Sequence, residues 1–200
     1  MSNCNNRDRE RLGFSTAVRN NFSFLENQYG LQCVHEEDTL VRFESDVVFV
    51  NVYHGRTSFE IGLEFGRRGY EEKYSLEALV ALSNENLSRK YWANFAVTTE
   101  MVETAVSTLA QGLIEYENGV LSGDACIYQR LEQLRRERID KMIVHSQVEQ
   151  VRPLADAAFR KKNYAEAARL YRSISSSLTE VERRKLTFAE EKQISPRRLG

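Results

Sequence analysis

The residues of this chain that could do chemistry are few and scattered. His35-Glu36-Glu37-Asp38 sets an imidazole beside three carboxylates, groups that a metal ion could use. The four are consecutive, so in a strand-to-strand turn they point in different directions. No second histidine stands at ligand spacing, and the stretch reads as a solvated turn. His54 precedes Gly55 and reads as a turn residue, while His145 lies in a highly charged stretch. Cys4, Cys33 and Cys126 are far apart and unpatterned, unlike a disulfide frame or a zinc site. A nucleophilic cysteine needs a base and an electropositive setting, and Cys33 lies among acidic residues instead. Glu60 and Glu64 fall on one face of a strand. Four strand residues separate them by about 13 Å, too far for a glycosidase pair. No Gly-x-Ser-x-Gly elbow, His-Glu-x-x-His, Cys-x-x-Cys or phosphate-binding glycine loop occurs. These patterns point away from catalysis, and no cofactor or metal is expected. An enzyme with dispersed catalytic residues is the reading that motifs cannot see.

Residues that could meet a partner are more evident. Residues 31–124 hold 7 Lys/Arg against 16 Asp/Glu, and residues 152–200 hold 12 against 6. The first half is therefore acidic and the C-terminal end basic. Glu36, Glu37, Asp38, Glu60 and Glu64 form the acidic candidate surface. Trp92, the only tryptophan, would be a natural anchor if exposed. Arg183, Arg184 and Lys185 could touch phosphates, although no nucleic-acid motif accompanies them.

Composition bounds the class. The chain has 200 residues, 42% hydrophobic and 28% charged, with a net charge of −1. That is enough apolar content for a core, with no global field calling for nucleic acid or membrane. Apolar runs are short, such as Val47 to Val50, and the N-terminal stretch is polar. A cytoplasmic protein without membrane contact is expected.

These residues need elements to hold them. Val18, Phe22 and Leu25 recur at helical spacing and Gly30 stops the run, so a helix is expected from Ser15 or Thr16 to Tyr29. Four strands follow: Leu31–Val34, Thr39–Phe43, Val47–Tyr53 and Phe59–Phe65. Phe59, Ile61, Leu63 and Phe65 alternate with polar or small residues, giving one buried and one wet face. The third strand is apolar on both faces and should be central. Short turns between strands predict an antiparallel meander. Ser75 caps a helix with Leu76, Leu79 and Val80 inward. Tyr91, Trp92 and Phe95 form an aromatic link. A longer helix from Thr99 carries Val102, Val106, Leu109 and Leu113. Asp124 caps another, with Ile127, Leu131, Leu134, Ile139, Met142 and Ile143 inward. That helix runs at most to Gln150, since Pro153 marks the next start.

Residues 153–176 combine Ala155, Phe159, a polar turn at Lys162-Asn163, Tyr164, Ala167 and Tyr171. This pattern resembles one tetratricopeptide repeat, without the usual early Trp-Leu pair or exit proline. The resemblance implies a helix hairpin that binds protein, with Tyr164 and Tyr171 as candidate contacts. Thr179-Glu180-Val181-Glu182 reads as a capping box opening a further helix. The strands followed by a Leu-Glu-Ala-Leu helix resemble small bacterial α+β proteins, some of them toxin-immunity proteins. That resemblance implies an acidic surface steering a cationic partner.

The expected fold is α+β: an N-terminal helix, a four-stranded antiparallel meander, then a helical C-terminal half ending in a hairpin plus one helix. The expected organisation is a tail at 1–13, an α+β domain at 14–151, a helical hairpin appendage at 152–194 and a tail at 195–200. The expected function is protein binding without catalysis, through the acidic sheet face or the C-terminal helices. Nucleic-acid binding by the basic end is the alternative.

Overall fold

The computed structural model describes residues 10–92 and 94–194. Cys4, Arg197, Arg198 and most of the two expected tails lie outside the described residues. The chain divides into two compact units, residues 1–135 and 136–200.

The first unit is α+β, as the expected fold class has it. α1 (Phe14–Asn21) and α2 (Ser23–Tyr29) replace the single expected helix. The break falls at Phe22, which leaves helical geometry (φ −101°, ψ 10°) with its ring fully buried. Gly30 ends α2 at φ +68°, a left-handed conformation that glycine adopts without cost.

The sheet strands are β1 (Gln32–Glu37), β2 (Leu40–Glu44), β3 (Val48–His54), β4 (Glu60–Arg67), β5 (Tyr74–Ser75) and β6 (Asn94–Phe95). β1 to β5 run in sequence order, all antiparallel, and β6 also pairs with β4. The meander is therefore as expected, and two short strands extend it. Two residues are too few to show a period of two, so β5 and β6 leave no signal in the sequence.

Cross-strand partners share a face. Val41, Val52 and Leu63 form one inward row and Phe43, Val50 and Phe65 the next. All six are at most 3% exposed. The helices α1, α2, α3 (Leu76–Ala81) and α5 (Thr99–Tyr116) contact the strands of this sheet. Ser75 and Thr98 cap α3 and α5, accepting from the amides of Ala78 and Met101. A short α4 (Glu85–Ser88) lies between them. α6 begins at Ala125, and its Tyr128 and Leu131 complete the core.

α6 runs from Ala125 to Arg160, straight through Pro153. The expected stop at Gln150 is thus corrected. Proline deprives the helix of one hydrogen bond, and the helical sequence on either side outweighs that loss. Ile139, Met142 and Ile143, expected to face inward, are 40%, 66% and 59% exposed. They fall after Leu131, the last α6 residue of the first core, and before Val148, the first of the second.

The second unit contains the rest of α6, α7 (Tyr164–Ser173) and α8 (Glu180–Ile194). Ala155, Ala167, Ala168 and Ala189 are fully buried, small residues where helix backbones come close. Lys162 takes φ +60° in the turn, and Asn163 caps α7 by accepting from the Glu166 amide. Thr179 and Glu182 form the expected reciprocal capping box at 3.3 and 2.7 Å.

Candidate functional site

The described residues on either side of position 93, Arg89 to Trp92 and Asn94 to Thr98, present exposed aromatic side chains in the first unit. They are held at both ends. Tyr91, in a 3-10 turn, is buried edge-on to Tyr116. Its ring lies where a side chain on Gly112 would otherwise stand: a Cβ there would come within 2.2 Å. At the other end Ala96 is fully buried. Its amide donates to the Phe59 carbonyl at 2.8 Å, and its carbonyl accepts from His54 Nε2 at 3.0 Å.

His54 is therefore not a turn residue. It ends β3, is 1% exposed, and braces the segment while touching the rings of Phe14 and Phe59. No motif could reveal this, because the contact spans residues far apart in sequence.

Between the two anchors the large apolar side chains face solvent. Trp92 is 59% exposed and Phe95 58% exposed. Val97 follows, exposed beyond buried Ala96. Phe95 lies directly across from Glu60 and edge-on to Phe59. Phe59 is held at φ +54°, a conformation that bulky residues rarely adopt.

The acidic candidates do not share one face. Glu36 pairs across from Val41 on the helix side, and Arg19 of α1 lies 3.8 Å from it. Glu37 belongs to β1 and not to a turn, with His35 at 3.5 Å and Arg56 at 3.8 Å. The turn itself is Asp38-Thr39. Among the described residues no group of three His, Cys, Asp or Glu could hold a metal.

On the open face a polar row crosses three strands. Arg42 donates to Asn51 at 3.2 Å, Asn51 to Glu64 at 2.7 Å, and Lys73 to Glu64 at 2.8 Å. Glu64 is thus engaged, while Glu60 is exposed beside Phe95. Burial, then the charges of Glu64 and Glu60, pushes the Tyr53 phenol up.

In the second unit Tyr171 is fully buried, and its hydroxyl donates to Asp156 Oδ1 at 2.5 Å. Tyr164 packs edge-on to Phe159 and Phe188. Both hold the hairpin together. Of the basic triplet, Lys185 donates to Asp156 at 2.6 Å and Arg184 pairs with Glu180.

No family model, no curated protein and no solved structure matches this chain. No helix among the described residues is long and apolar enough to cross a membrane.

Proposed function

We propose that this chain is a non-enzymatic protein-recognition module whose partner docks on the Trp92–Phe95 segment. The exposure of Trp92 and Phe95 carries this reading. Isolated exposed apolar residues are ordinary, but two large aromatics on one short, braced segment resemble the anchors of a binding surface. Bracing lowers the ordering cost that a partner must offset. Glu60, across the strand from Phe95, places a carboxylate at the edge of the site. The partner this surface suits has an apolar pocket with a basic group at its rim. An immunity-type or adaptor role fits such a surface, and the acidic candidates then act through Glu60.

The reading is tested by co-purification of the tagged full chain from its native cells, with nuclease treatment. The expected result is one stoichiometric protein retained by wild type and by Arg183→Glu/Arg184→Glu, and lost from Trp92→Ala/Phe95→Ala. Capture unchanged by the aromatic double substitution would refute it. Capture lost with nuclease and with the arginine reversals would replace it with nucleic-acid binding.

A further inference from the structure

We propose that Arg67, which lies against the rings of Tyr70 and Tyr128, is a binding point for a carboxylate. The proposal is independent of the Trp92 site.

Arg67 ends β4 and is half-buried. Its guanidinium carbon lies 4.0 Å from the centre of the Tyr70 ring and 5.1 Å from that of Tyr128. Tyr128 is a fixed wall: it is buried, its hydroxyl donates to the Val120 carbonyl at 3.2 Å, and Phe65 and Tyr74 meet it edge-on. Tyr70 is 55% exposed, and its ring lies against the guanidinium.

The next residue sharpens the contrast. Arg68 has Glu44 at 4.0 Å and Asp46 at 3.8 Å. Arg67 has no carboxylate at ion-pair distance among the described residues, and its buried Nε has no acceptor. Glu132 is already engaged by the Tyr74 hydroxyl and by Arg135, each at 3.3 Å. A partly desolvated cation without a counter-charge is costly, and an arriving anion relieves that cost.

Aromatic stacking occupies the faces of a guanidinium and leaves its edge, where the N–H groups point. A planar carboxylate meets the outer edge, formed by the two Nη groups, with two parallel hydrogen bonds, because Nε itself is buried. The stack restrains the fork in advance, so little further order is needed. The carboxylate can come from a small organic acid or from an acidic segment of a protein.

The test follows the Arg67 Nε–Hε resonance of the ¹⁵N-labelled full chain, assigned by its loss in Arg67→Lys. Sodium acetate, a blocked glutamate-rich peptide and sodium phosphate are titrated separately at constant ionic strength. A saturable shift is expected with acetate or with the peptide, in wild type and in Tyr70→Phe. Saturation by acetate identifies a small acid as sufficient, and saturation by the peptide alone identifies an acidic protein segment. Tyr70→Ala, a surface change, should weaken binding roughly fivefold through loss of one stacking face. Absence of saturation with both carboxylates, saturation by phosphate alone, or unchanged affinity in Tyr70→Ala would each overturn the proposal.

Discussion

Gly112 sits within α5 against the ring of Tyr91, and two effects of opposite sign meet there. Alanine is favoured over glycine in a helix by ~1 kcal/mol. The added Cβ, however, would stand 2.2 Å from a ring atom of a buried tyrosine. Overpacking of this kind costs roughly 1–3 kcal/mol, so the clash wins. Gly112→Ala is predicted to lower stability by up to about 2 kcal/mol in denaturant unfolding and to loosen the contact at Tyr91. Asp156 offers a second test. The hydrogen bonds from Lys185 and then Tyr171 hold its carboxyl below the usual range, against the opposing effect of burial. A carboxyl with a depressed folded pKa stabilises at neutral pH, and that contribution is lost as pH falls below about 4. Glu182 behaves alike: burial opposes, but bonds from the Thr179 amide and Arg152 outweigh it. Acid should therefore destabilise the hairpin unit. Asp156→Asn should flatten the acid limb of a stability–pH curve; an unchanged limb would mean that the Lys185 contact does not form.

At the scale of elements, α6 makes the sharpest claim. Proline in a helix interior costs about 3 kcal/mol relative to alanine. Because α6 is continuous through Pro153, Pro153→Ala restores a hydrogen bond to the Glu149 carbonyl. The hairpin should then melt higher, with slower amide exchange around residues 150–157. A lowered melting temperature would indicate a helix start at Pro153, which is how the residue reads in the sequence. The four main strands were legible because Phe59, Ile61, Leu63 and Phe65 alternate and because Val47 to Tyr53 are apolar on both faces. The capping box and the alanine-rich hairpin were legible for similar local reasons. β6 was not, since its register depends on Glu60 and Ile61, over thirty positions earlier. The candidate site was legible only in part. Trp92 was a candidate by residue type, but its exposure is set by where Tyr91 and Ala96 anchor the chain. Burial of His54 and of Tyr171 depends likewise on partners remote in sequence.

For the molecule as a whole, the uneven distribution of charge proves less informative than it reads in the sequence. In the first unit, Glu36, Glu37, Glu44 and Glu64 each have a cationic group or histidine within 3.8 Å. In the second, Lys185, Arg172 and Arg184 each meet a carboxylate. Paired surface charges contribute little to stability and steer weakly at physiological salt. In the first unit the exposed aromatics Trp92 and Phe95 stand beside the buried anchors Tyr91 and Ala96. The most direct measurement replaces Trp92 with a photo-reactive phenylalanine analogue in the native cells, with the same analogue at exposed Gln111 as a control. One dominant protein adduct is expected from position 92, absent from position 111 and lost when Phe95→Ala is added. The same adducts from both positions, or none from position 92 in cells where the chain is abundant and folded, would contradict docking on the Trp92–Phe95 segment.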